Sequence, residues 1–263
     1  MKLSISNIGW DACNDASVFG LMKKYGYSGL EIAPTRIFLE SPYERLDEAK
    51  AWVEDLKNEE GFIVPSIQSI WFGRQEKIFG TEEERQILVD YTKKAIDFAE
   101  TIGCGNIVFG CPRNRNMPEG VDENIAISFF KEIGDYAAEH NTVIGMEANP
   151  PIYNTNYIND TKSAFKLIEK VDSSGFKLNL DVGTMIQNSE SAEELAGNVY
   201  LINHVHISEP GLKIIAQREI HKKIKGILVN EGYHKFISVE MGKGNDYLEI
   251  ECVLRYVSNV FLQ

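Results

Sequence analysis

Ile202-Asn203-His204-Val205-His206-Ile207-Ser208-Glu209 is a short apolar run carrying two histidines two positions apart and ending in polar residues. In an extended strand alternate residues share a face, so His204 and His206 point the same way, His206 nearer the C-terminal end. Three other short apolar runs end in an acid: Val143-Ile144-Gly145-Met146-Glu147, Phe176-Lys177-Leu178-Asn179-Leu180-Asp181 and Phe236-Ile237-Ser238-Val239-Glu240. The terminal residues Glu147, Asp181, His206 and Glu240 are 34, 25 and 34 positions apart, each interval about right for one strand, a crossover helix and the return. The spacing predicts four successive parallel strands that each deliver one carboxylate or imidazole to a shared rim.

The same alternation continues toward both termini. Strands are expected at 2–8, 28–33 (with Glu31 near its end), 62–69 and 106–109, with helices at 15–25, 43–60, 82–102 and 122–140 between and after them. Gly26 and Gly61 are placed to stop the first two helices. Thr81-Glu82-Glu83-Glu84 reads as a capping box, and Leu88, Tyr91, Ala95, Phe98 and Ile102 recur behind it at helical spacing. Helices are expected at 160–171, 191–200, 219–230 and 246–261, which completes eight repeats without a linker. Strict strand–helix alternation implies a parallel sheet, and no GxGxxG follows any strand to support a doubly wound one. The expected architecture is a single (β/α)8 TIM barrel over residues 1–263, near the roughly 250 residues usual for that fold.

Composition narrows the partners. A formal charge of -12 and a pI near 5.0 argue against nucleic acid, which needs a basic surface. No run reaches the ~18 apolar residues of a membrane span, and no basic segment leads into a long apolar core at the start, so a cytoplasmic protein is expected. The four cysteines show no paired spacing and are read as reduced, buried or half-buried thiols.

Barrels of this kind carry their chemistry at the C-terminal rim of the strands, where Glu147, Asp181, His206 and Glu240 are expected. Three clustered carboxylates repel one another, and a single divalent cation removes that repulsion. Three oxygen donors and one imidazole suit Mn2+ or Mg2+ best, with Co2+, Fe2+ and Zn2+ also compatible. His204, one step deeper, reads as a hydrogen-bonded core histidine. Arg115, ahead of Arg113, is the expected contact for a substrate phosphate or carboxylate. Trp71 and Phe72 are candidates to stack on the apolar face of a substrate, while Asn149, Glu209 and Glu31 are candidates to orient ligands or contact substrate. His221, on a helix, is expected at the surface.

The phrases Gly145-Met146-Glu147-Ala148-Asn149-Pro150, Leu178-Asn179-Leu180-Asp181-Val182-Gly183-Thr184, His204-Val205-His206-Ile207-Ser208-Glu209 and Ser238-Val239-Glu240-Met241 resemble the metal-site strands of the sugar phosphate isomerase/epimerase group. That group belongs to the xylose isomerase-like TIM barrels, which also include the ketose 3-epimerases and endonuclease IV. The resemblance implies one divalent ion held by Glu147, Asp181, His206 and Glu240, with Glu147 and Glu240 as a base and acid pair. The sequence departs from the ketose 3-epimerase pattern at Thr184, where that pattern has histidine, at Leu212, where it has arginine, and at Tyr153, where it has glutamate. The resemblance thus implies a kept metal cage with altered substrate contacts.

The function expected is a metal-dependent isomerase or epimerase of a sugar, sugar phosphate or sugar acid, working through a metal-stabilised enediolate. Two alternatives stay open: a metal-dependent lyase (a dehydratase or aldolase) on a related polyol acid, and a catalytically silent sugar-binding barrel. An endonuclease IV-like activity needs more histidines at the rim than this acidic chain supplies. A homodimer is compatible with such a barrel, but no residue locates its interface.

Overall fold

Seven strands form among the residues that the computed structural model describes, 1–244 and 246–262. They are β1 (Lys2–Ser6), β2 (Gly29–Glu31), β3 (Ile107–Phe109), β4 (Ile144–Met146), β5 (Phe176–Asp181), β6 (Ile202–Ile207) and β7 (Phe236–Val239). All pair in parallel, in the order β2-β1-β7-β6-β5-β4-β3. The helices are α1 (Asp15–Lys24), α2 (Pro34–Ile37), α3 (Leu46–Asp55), α4 (Glu82–Thr101), α5 (Asn124–Glu139), α6 (Thr161–Val171), α7 (Val182–Asn188), α8 (Glu219–Asn230) and α9 (Tyr247–Phe261). None of them is long and apolar enough to cross a membrane.

The strand expected at 62–69 does not form as a regular element. Ile63 bridges Gly29 of β2, and Ile67 bridges both Ile32, just past β2, and Ile107 of β3. From Gly29 to Ile32 is three steps, but from Ile63 to Ile67 is four, so one residue is extra. Pro65 lies inside that bulge. It has no N–H to offer the ladder after the Ile63 amide donates to the Ser28 carbonyl (3.1 Å), so the register slips there. Because the two edges of the seven-stranded sheet reach the same segment, the sheet curls back toward itself.

The strands alternate with period two, and the inward set is polar. Leu3, Ile5, Leu178, Leu180, Val205, Ile207, Ile237 and Val239 are buried in the hydrophobic core, between sheet and helices. Their neighbours Ser4, Ser6, Asn179, His204, His206 and Ser238 are equally buried on the opposite face. A polar axis results. In it Asn106 donates to Ser66 Oγ (3.0 Å), Asn203 donates to Asn106 Oδ1 (2.9 Å) and Gln68 donates to Ser6 Oγ (2.6 Å). Gly145 makes room for this axis, since a Cβ there would sit 2.7 Å from Asn106 Oδ1.

Helix starts follow local chemistry. The Thr81–Glu84 capping box opens α4 as expected. The helix expected at 191–200 is replaced by α7, which begins directly after β5 because the Asp181 side chain accepts from the Gly183 and Thr184 amides. Residues 191–200 hold only short 3-10 turns. Cys13 and Cys252 are exposed rather than buried, and all four cysteines are free.

His221 corrects a second expectation: it is fully buried, its Nδ1 2.8 Å from the Tyr256 hydroxyl of α9 and its Nε2 without a partner. Burial pushes its pKa down from 6.5 to about 4. The unfolded chain therefore takes up this proton first as pH falls, so the stability it contributes is full above pH 6.5 and drains away toward pH 4. Denaturant unfolding at pH 7 and pH 4 should show wild type losing on the order of 2–3 kcal/mol more than His221→Leu. Equal losses would remove His221 as the cause.

Candidate metal centre

Register sets the site. Asp181 pairs with His206 across β5 and β6, while Glu147 and Glu240 directly follow β4 and β7. Both glutamates continue the ladder: the Glu147 amide donates to the Phe109 carbonyl and the Glu240 amide to that of Ile207, each at 3.0 Å. Ligand atoms of Glu147, Asp181, His206 and Glu240 consequently lie within 4.8 Å of one another.

Each member is oriented by neighbours. Glu147 Oε1 accepts from Asn179 Nδ2 (2.9 Å) and Oε2 from Asn149 Nδ2 (3.1 Å). Asp181 accepts from the Thr184 amide (2.9 Å), the Thr184 hydroxyl (2.7 Å) and the Ser208 hydroxyl. His206 Nε2 lies 2.9 Å from Glu31 Oε2, and His204 Nε2 is 3.1 Å from the same oxygen. Gly110 allows the cluster its space, since a Cβ there would stand 3.0 Å from Glu147 Oε2.

The other ring nitrogen decides what the cluster can hold. His206 Nδ1 is buried, 3.0 Å from Glu147 Oε1 and 3.2 Å from Glu240 Oε2, yet it makes no hydrogen bond with either. Burial alone would lower this imidazole, but Glu31, Glu240 and Glu147 outweigh it and raise its pKa well above the ordinary value. Burial, with Glu147 beside it, pushes the Asp181 carboxyl up. Three carboxylates thus converge on a ring nitrogen that their field drives to hold a proton, the position a divalent cation would take. This donor set fits a divalent cation, with Glu31 below as the carboxylate that fixes the ring.

A cavity of about 180 Å³ opens above the cluster, lined by Glu147, Asp181, Glu240, Asn149, Glu209, Ser208, Gln68, Ser69, Val108, Gly110, Cys111, Pro112, Tyr153 and Leu212. Asn149 and Glu209 both line this cavity. Glu209 is held by a two-pronged pair with Arg218, both bonds 2.6 Å.

Arg115 and Trp71 do not reach it. Arg115 is wholly buried beneath the wall. Its guanidinium donates to the Glu147 carbonyl (2.9 Å), Asn149 Oδ1 (2.9 Å) and the Ile158 carbonyl (3.3 Å), and burial lowers its pKa to about 10. Its two terminal nitrogens are spent on shaping the 147–158 loop, while Nε is buried without a partner, which leaves no fork for a substrate anion. Trp71 is a core residue, edge-on to Phe109 and Phe129 at 4.7 and 5.8 Å, with its indole N–H on Thr92 Oγ1. Phe72 and Arg113 are exposed and outside the cavity wall. Asn179 escaped notice in the sequence, although it lies two residues before Asp181 and must share its face. Gln68, Ser69 and Ser208 carried no comparable signal.

The family profile of xylose isomerase-like TIM barrels matches residues 19–255. Solved structures with the same fold include a 3-keto-D-glucoside 4-epimerase from E. coli (18% identity, 98% of this chain and 99% of that one, TM-score 0.76). Another is D-psicose 3-epimerase with D-tagatose from Clostridium cellulolyticum H10 (17%, 98% and 92%, 0.73). The IolI protein, whose structure carries a zinc atom, is similar at 16% identity over 100% of this chain and 95% of that one, with a TM-score of 0.69. No curated protein matches the chain.

Proposed function

The chain belongs to the xylose isomerase-like TIM-barrel family, and on that premise we propose that it is a divalent-metal-dependent isomerase or epimerase of a small sugar. The observation that carries this reading is the placement of Glu147 and Glu240 on either side of the unpartnered His206 Nδ1, both opening into one cavity. Glu147, Asp181, His206 and Glu240 would hold the ion. The chemistry such an ion would supply there is positive charge beside the carbonyl whose enediolate forms. Mn2+ or Mg2+ suits three carboxylates and one imidazole best.

Glu147 and Glu240 carry the proton transfer. They come from β4 and β7, with β5 and β6 between them, so they approach a bound sugar from different sides. One takes the proton from the carbon beside the carbonyl, and the other returns a proton to the opposite face. The amides of Asn149 and Asn179 hold the Glu147 carboxylate in place. Asn149 and Glu209 are also positioned to meet sugar hydroxyls.

The test is proton exchange. Ketohexoses and their derivatives incubated in D2O with metal-loaded protein should gain deuterium at the carbon next to the carbonyl, with substrate mass otherwise conserved. Chelation should abolish the exchange and added Mn2+ should restore it. Loss of water or carbon–carbon cleavage would instead identify a lyase, and no exchange with any sugar would end this reading.

A further inference from the structure

The end of the barrel opposite the metal cluster holds a second cavity, of about 320 Å³, that the proton-transfer chemistry does not use. It lies where β1, β6 and β7 begin, and the bulge at Pro65 forms part of its rim. Inward positions recur every two residues, so Lys2 of β1 continues the face of Ser4 and Ser6, and Lys177 of β5 that of Asn179 and Asp181. One wall is apolar, made by Phe236 and Pro65. Gly29 leaves room for it, since a Cβ there would stand 2.7 Å from Phe236 Cε1 and 2.9 Å from Pro65 Cγ. The buried His204 and Asn203 close the inner end.

The charge of this cavity is the reverse of the chain's. The sequence has 39 acidic residues against 27 basic ones, yet Lys2 and Lys235 line the cavity and no carboxylate does among the described residues. Lys235 Nζ is anchored by a 2.7 Å hydrogen bond to Asn203 Oδ1, and Lys2 Nζ stands 5.5 Å from the centre of the Phe236 ring. Asn203 Nδ2 is already spent on the Gly105 carbonyl (3.0 Å) and Asn106 Oδ1 (2.9 Å), which leaves the two ammonium groups as the cationic donors of the cavity. Burial, and then the nearby Lys177, push the Lys235 ammonium below its usual range, so like charges bear on one another here. Lysines beside the C-terminal end of a helix can instead serve its carbonyls, and α4 ends close by at Thr101. The two roles differ in sign: partners of a helix end stabilise the empty protein, whereas crowded like charges cost it stability and are relieved by an anion.

We propose that this floor cavity binds a small organic dianion, a phosphate monoester or a dicarboxylate, with Lys2 and Lys235 receiving the charge and Phe236 and Pro65 the carbon part. The site is separate from the barrel mouth, and its test needs neither metal nor turnover, so it stands or falls apart from the sugar-isomerase reading.

Glycerol phosphate and succinate would each be titrated calorimetrically into metal-free protein, whose carboxylate-rich mouth repels anions. At least one should bind saturably at one equivalent, several-fold more weakly when salt is raised from about 50 to about 200 mM; which of them binds tighter decides between phosphate and carboxylate. Lys2→Met and Lys235→Met should each weaken it about tenfold, the worth of one charge-assisted hydrogen bond. Lys235→Arg, which keeps the charge, should stay within about threefold of wild type. Lys50→Met, an exposed site on α3, should leave affinity unchanged. Without ligand, the denaturation midpoints of the Lys2 and Lys235 variants should hold or rise. No saturable binding of either probe, affinity unaltered in both Lys→Met floor variants, an equal loss in Lys50→Met, or midpoints that fall in both floor variants would each overturn the proposal.

Discussion

Glu240→Gln should slow interconversion of the two sugar forms by about 10²–10⁴-fold, the range a positioned acid or base contributes. The amide keeps an oxygen to offer the cation but cannot take a proton, so the assay would be run at saturating metal. Glu147→Gln should cost a similar factor. If the reaction is an epimerisation with a carboxylate on each face, the variants will also separate exchange from inversion. With Glu240 neutralised, Glu147 can still remove and replace the proton of the epimer that faces it. That epimer should gain deuterium from solvent while its partner fails to form. A single base serving neighbouring carbons, as in aldose–ketose isomerisation, would lose both together. Full activity in either variant would remove that glutamate from the mechanism.

The asymmetry around the two glutamates sharpens this expectation. Glu147 is gripped by two side-chain amides, from Asn149 and Asn179, whereas Glu240 Oε2 faces the His206 ring at 3.2 Å. Those two donors fix the orientation of the Glu147 carboxylate. Removing one of them by Asn179→Leu acts on Glu147 without touching the cavity wall. The same asymmetry explains why Arg115 is buried where it is: by taking the Glu147 carbonyl and Asn149 Oδ1, it turns Asn149 Nδ2 toward the carboxylate.

What could be read from the chain, and what could not, follows from the range of each interaction. The ends of β4, β5, β6 and β7 were legible because a two-residue period places every polar terminal residue without knowledge of its neighbours. His204 was legible for the same reason, one step below His206 on one face. The failures lie where direction depends on tertiary contact. Arg115 follows β3, but Cys111 at φ 43 and the 3-10 turn Pro112–Asn114 turn the chain so that the guanidinium points under the wall. Trp71 follows the expected strand at 62–69, but Pro65 breaks that strand and the indole drops between Phe109 and Phe129. His221 sits in a helix whose polar letters promised solvent, yet α9 covers it. The short helix after Asp181 was displaced because the same carboxylate that faces the cluster also caps α7, a double role that spacing alone does not reveal.

Glu31 is the residue whose loss should be felt most widely. Its Oε2 receives His206 Nε2 at 2.9 Å and stands 3.1 Å from His204 Nε2, and its Oε1 accepts from Gln68 Nε2 at 3.2 Å, all of it out of reach of water. Burial by itself would push this carboxyl up, but His206 and His204 together outweigh it and hold it below the usual carboxylate range. By accepting from Nε2 it leaves Nδ1 as the nitrogen that faces the carboxylate cluster. Glu31→Gln preserves shape but offers His206 a weaker, neutral acceptor. It should fold and yet bind Mn2+ about 10–100-fold more weakly, measured by competition with a chromophoric chelator. Glu31→Ala leaves the His206 Nε2 without its acceptor, and both imidazoles without the carboxylate beside them, inside the polar axis and should cost about 3–5 kcal/mol of unfolding free energy, measured in metal-free protein. The pair separates two roles: a carboxylate that only fills space would leave the affinity of Glu31→Gln at the wild-type value, and one that only orients the ring would leave metal-free Glu31→Ala as stable as the parent.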